Sequence, residues 1–149
     1  MKYKLTFTLG DPSWDGHGLT SVYYITCNHS SSEIEEAYRE MCEKLGFDFL
    51  ELFSRYECNM SISEEHTRIL LENGIIDPNR VITEKTLEEC SFYSEEDLGT
   101  VDMDGEDEFV EIFFNIVKAK LPDFKWKRAV LGFDDLEVLD GAGYGIFRI

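Results

Sequence analysis

"EDEFVEIFFNIVKAKLP", residues 106–122, is the stretch on which the fold turns. Carboxylates crowd its start, Lys118 and Lys120 close it, and Pro122 stops it, each in the sense that complements a helix dipole. The spacing predicts a helix over 106–121. Phe109, Val110, Ile112, Phe113, Phe114, Ile116 and Val117 cover more than one face of it. Such a helix is expected to be the central buried element, in contact with both a sheet and another helix.

Outward toward the C-terminus, residues 124–131, 136–139 and 144–149 read as strands, the last two joined by DGAG. Toward the N-terminus, residues 3–9 place Tyr3, Leu5, Phe7 and Leu9 on one face and Lys4, Thr6 and Thr8 on the other, the period of a half-buried strand. TSVYYITC, residues 20–27, is a second strand, so a long-looped hairpin is expected. Ser32 with Glu35 reads as a capping box for a helix whose apolar stripe runs from Ile34 to Leu45 and ends at Gly46. Asp48 with Glu51 opens a shorter helix carrying Phe49, Leu52, Phe53 and Tyr56. Ser63 caps a third helix that ends at Asn73-Gly74, and Asp77-Pro78 marks a turn or a new helix start. Thr83 is placed to cap a helical turn through Leu87 and Cys90, while SFYSEEDLGT, residues 91–100, reads as an acidic surface loop.

Two strands, a run of helices and three strands define the expected fold class as α+β. The expectation is one antiparallel or mixed sheet of about five strands with helices packed on one face. Regular β-α alternation, which a parallel doubly wound fold needs, is missing. The 149 residues are enough for a single domain spanning 1–149 with one hydrophobic core.

Charge is the dominant global feature. Thirty-one acids against fourteen bases leave a net −17, which repels a phosphate backbone and argues against direct nucleic-acid binding. Residues 61–111 alone hold sixteen acids and three bases, so most of the field comes from one stretch. A field of that kind attracts basic proteins or divalent cations. No apolar run is long enough to span a membrane, and MKYKLTFTLG alternates where a signal peptide would show an unbroken apolar core. Cys27, Cys42, Cys58 and Cys90 form no C-x-x-C pair, which fits reduced, core-filling thiols in a cytoplasmic protein.

GDPSWDGHG, residues 10–18, gathers Asp11, Asp15 and His17 between glycines, a set able to ligate a cation or exchange protons. Asp-Pro and Asp-Gly also build turns, which is the preferred reading of the loop. Trp14 in it folds back on the core or anchors a partner. TVDMDGEDEFVE, residues 100–111, lays Asp102, Asp104, Glu108 and Glu111 on ligand places of a calcium loop, but Thr100 stands where the first ligand belongs, and an acidic helix start accounts for the same letters. No cofactor is implied beyond a divalent cation at these places. The three histidines have no nucleophile signature beside them. In KAKLPDFKWKR, residues 118–128, strand alternation turns Phe124 and Trp126 inward and Lys125 and Lys127 outward, where the bases would offset the acidic middle.

The first functional expectation is therefore a non-catalytic acidic protein docking on a basic partner. Trp14, Asp102, Asp104, Glu106 and Asp107 would form its contact surface, in the manner of an inhibitor or immunity-type protein. The alternative is a metal-binding protein or metal-dependent enzyme using the 10–18 loop.

Overall fold

The computed structural model describes residues 2–9, 19–52, 60–103, 106–128 and 143–148. In chain order its strands and α-helices are β1 (Lys2–Leu9), β2 (Leu19–Thr26), α1 (Ser31–Leu45), β3 (Met60–Ile62), α2 (Glu64–Glu72), α3 (Glu84–Glu89), β4 (Val101–Met103), α4 (Glu106–Lys120), β5 (Lys125–Arg128) and β6 (Gly143–Arg148). The chain divides into two compact units. One, here the terminal unit, comprises Met1–Tyr56 and Ile116–Ile149; the other, the middle unit, comprises Glu57–Asn115.

In the terminal unit the strands pair in the order β5-β2-β1-β6. β1 and β2 form the antiparallel hairpin, with Lys2 opposite Thr26 and Leu9 opposite Leu19. β5 adds antiparallel to β2, with Ile25 opposite Trp126, and β6 adds parallel to β1. Successive strand residues point to opposite faces, yet Tyr23, Tyr24 and Ile25 are all buried, so β2 is covered on both sides. Part of that cover is Lys127, the cross-strand partner of Tyr24, whose ammonium lies 5.6 Å from the ring centroid. On the other side Phe124 is fully buried and lies 5.9 Å, ring to ring, from half-buried Trp126, while Lys125 and Lys127 are exposed.

Helix α1 starts two residues earlier than its sequence suggests. Ser30, not Ser32, is the N-cap: its side chain accepts the Glu33 N–H while the Glu33 carboxylate accepts the Ser30 N–H. Three consecutive serines supply two overlapping boxes, and the earlier one satisfies its orphan donors. Ile34, Ala37, Tyr38, Met41 and Leu45 are buried as the stripe requires, and Gly46 ends the helix at φ +86°. A short 3-10 turn over Phe49–Leu52 follows and buries Phe49; Phe53 and Tyr56 lie outside the described residues.

The middle unit builds its own two-stranded antiparallel sheet, β3 with β4, in which Ile62 faces Val101. Ser63 caps α2 through the His66 N–H, Asp77 caps a 3-10 turn at Pro78–Arg80, and Thr83 caps α3. Ile62, Leu70, Val101, Phe109 and Phe113 are sealed from solvent, each large apolar side chain contributing about 1.5–3 kcal/mol of burial. Buried Thr67 donates its hydroxyl to the Ile62 carbonyl at 3.2 Å, so the buried polar residue of this core among the described residues is satisfied.

The expected fold class is corrected by these pairings. One sheet of about five strands with helices on one face does not form: the described residues hold four α-helices, which outweigh the strands, and the helical middle closes on a sheet of two strands only. The physical reasons lie in particular residues. MSI and VDM, too short to announce themselves by alternation, pair with each other, and the burial of both faces of β2 removes the open sheet face that the α+β layout assumes. The expected strand at 136–139 falls outside the described residues.

Candidate functional site

Charge divides unevenly between the two units. The middle unit carries seventeen acids and three bases, for −14, against fourteen acids and eleven bases, for −3, in the terminal unit. The terminal unit engages its charges locally. Arg39 pairs with Glu35 at 2.6 Å, Lys120 with Glu40 at 2.9 Å, and His29 stands between Glu33 at 3.3 Å and Asp123 at 3.4 Å. Asp123 also accepts the Asn28 N–H at 2.7 Å, and this bond, followed by the field of His29, holds its carboxyl below the usual carboxylate range.

The middle unit does the reverse. Glu84, Glu88, Glu89, Glu95 and Glu96 are all exposed, and among the described residues the ion pair in this stretch is Lys85 with Glu89, at 4.0 Å between two largely solvated side chains. Such a pair offsets little. Arg80 is taken by Glu108 at 3.0 Å. The acids sit where they do because α3 and the following 3-10 turn, Glu95–Asp97, each begin at a capped residue, Thr83 and Ser94, so their carboxylates fall on solvent-facing turns.

Between these acids the chain turns at Ser91-Phe92, and Phe92 is 79 % exposed, the large apolar side chain left in solvent among the described residues. Tyr93 meets it edge to face at 5.6 Å. The turn is closed at both ends. Cys90 N–H donates to the Thr86 carbonyl at 2.9 Å on one side, and Ser94 N–H donates to Asp97 at 2.8 Å on the other. Beyond it, Gly99 N–H reaches the Ile82 carbonyl at 2.9 Å and Ile82 N–H the Thr100 carbonyl at 3.0 Å, tying the whole segment back to its start. Gly99 adopts φ +79° beside the Glu64 side chain, where a Cβ would meet Cγ at 2.8 Å.

The residues singled out in the sequence are distributed as follows. Asp11, Trp14, Asp15, His17 and Asp104 lie outside the described residues. Asp102 sits in β4 opposite Ser61, and Glu106 and Asp107 open α4. Glu108 is engaged by Arg80, and Glu111 is exposed on α4. Among the described residues no three His, Cys, Asp or Glu side chains converge as a metal site. Among them, too, no helix is long and apolar enough to cross a membrane.

Two polar clusters escaped sequence reasoning. Ser63 Oγ lies 3.1 Å from His66 Nδ1, and Ser63 lines an open cleft of about 630 Å³ together with Glu64, Glu65, Arg68 and Leu71. Helical i,i+3 spacing from a capping serine produces that contact, and the same Oγ already accepts the His66 backbone N–H, so the pair closes the helix. In the second, the Tyr38 phenol donates to Asp48 and accepts the Leu50 N–H at 2.9 Å. Burial first, then the bond to Asp48, push the phenol's pKa far up. Burial likewise raises the thiols of Cys27 and Cys42, keeping both protonated at neutral pH.

Scans against protein-family models, curated proteins and solved structures find no match to this chain.

Proposed function

We propose that the protein is a non-catalytic binding protein whose acidic middle unit docks on a basic partner protein, in the manner of an inhibitor or immunity-type protein. The supporting observation is the string of exposed glutamates on α3 and the turn after it, where among the described residues the ion pair is the weak one of Lys85 with Glu89. Unneutralised carboxylates of this kind speed encounter with a cationic surface and select against anionic ones. Asp102, Asp104, Glu106 and Asp107 belong to the same acidic stretch of sequence, so they stay in the proposed contact surface.

The test is the affinity for a synthetic lysine-serine peptide, measured at low and moderate salt. Neutralising Asp102, Asp104, Glu106 and Asp107 together with Asn and Gln is expected to weaken binding several-fold at low salt, and the difference is expected to shrink as salt rises. Affinity unchanged by the four substitutions would remove them from the surface.

A further inference from the structure

We infer that Phe92, presented between the acidic runs of α3 and Glu95–Asp97, is the apolar anchor of a docking surface for a lysine- or arginine-rich protein segment that carries an apolar side chain among its charges. The inference rests on the docking role proposed above and adds to it the point at which binding energy concentrates.

Acids alone steer a partner without holding it in one pose, because exposed charge pairs return little net free energy. A held pose needs a side chain that loses water on contact. Phe92 is 79 % exposed, and its ring meets that of half-buried Tyr93 edge to face, which holds it against a second aromatic side chain. Aromatic side chains, phenylalanine among them, are enriched at the cores of protein interfaces, and a side chain with few rotamers costs little to immobilise.

The backbone beneath it is already ordered. The Cys90 and Ser94 bonds close the turn, and the Ile82 bonds to Gly99 and Thr100 anchor the segment, so binding does not have to fold it first. Charge decides what covers it. Glu88 and Glu89 precede the turn and Glu95 and Glu96 follow it, all exposed, so a neutral or acidic partner would bury or crowd carboxylates without compensation. A cationic rim around an apolar group is complementary at both levels. A second copy of this chain would oppose glutamates to glutamates.

The experiment uses the full chain and two synthetic peptides of equal length and charge, one of lysine with serine and one in which central serines are replaced by leucine. The intact protein is expected to bind the leucine peptide roughly tenfold more tightly than the serine peptide. Phe92→Ala is expected to erase that preference while leaving the serine peptide within about twofold, and Phe92→Trp to keep it. A preference that survives Phe92→Ala, or no preference in the intact protein, overturns the anchor; if salt-sensitive binding of both peptides persists, the docking role still stands. Failure to bind either peptide at low salt overturns both. Self-association lost on Phe92→Ala would assign the patch to a second copy and overturn the basic segment as its occupant.

Discussion

The terminal and middle units bury similar side chains but treat their charges in opposite ways. Phe49 and Phe124 in one, and Phe109 and Phe113 in the other, are equally sealed from solvent. At the surface, among the described residues, the terminal unit engages Glu33, Glu35, Glu40 and Asp123 with Arg39, Lys120, His29 and a backbone N–H, while the middle unit leaves a run of glutamates facing water beside an exposed aromatic ring. Since the cores are alike, the difference does not arise from what folding requires. Unpaired like charges destabilise a compact state through self-repulsion, a cost that the proposed docking role would account for.

The largest effect should fall on both units alike. Phe49→Ala and Phe113→Ala are each expected to cost about 3–5 kcal/mol of stability, read as a lowered denaturant midpoint, because each leaves a void in a closed core. A much smaller loss in one unit would break the premise that the cores are equivalent. Tyr38→Phe sharpens the contrast at the polar level. It removes the phenol from Asp48 and the Leu50 N–H and is expected to cost about 1–2 kcal/mol, whereas Glu95→Gln should lie within about 0.5 kcal/mol.

The smallest effect is a pH dependence. Asp123 has its carboxyl held low in the folded chain by the Asn28 N–H and by His29, so it binds its proton more weakly folded than unfolded. Its contribution is present above the ordinary carboxylate range and is lost as pH falls through the lowered folded value. Asp123→Asn is expected to flatten the acid limb of the stability profile slightly while leaving its slope at neutral pH unchanged. An acid limb identical in the variant would show that the contact does not matter to folding.

How much of this was legible in the sequence depended on whether the signal was local. The stripe of α1, the Gly46 stop, the caps at Ser63, Asp77 and Thr83, and the apolar face of α4 are written in residues three or four apart, and each was readable. The inward turn of Phe124 and Trp126 followed from strand alternation. Pairing was not readable in the same way. MSI and VDM are three residues each, with no period to detect, and their partnership rests on contacts across some forty residues. The parallel register of β6 on β1 links the two ends of the chain and is equally silent locally. The proposed docking surface was half legible. Charge counted along the chain located the acidic stretch, but the exposure of Phe92 depends on a turn closed by bonds to Asp97 and Thr86, which composition does not reveal.

The most direct test changes equal charge in the two units. In one variant Glu84, Glu88, Glu89, Glu95 and Glu96 become Gln; in the other Glu35, Glu36, Glu40, Glu43 and Glu51, all exposed in the terminal unit, become Gln. Affinity for the leucine-bearing lysine peptide at low salt is expected to fall about tenfold or more in the first and less than about twofold in the second. Equal losses in the two variants would mean that the peptide senses only total charge, and the middle unit would then hold no docking surface of its own.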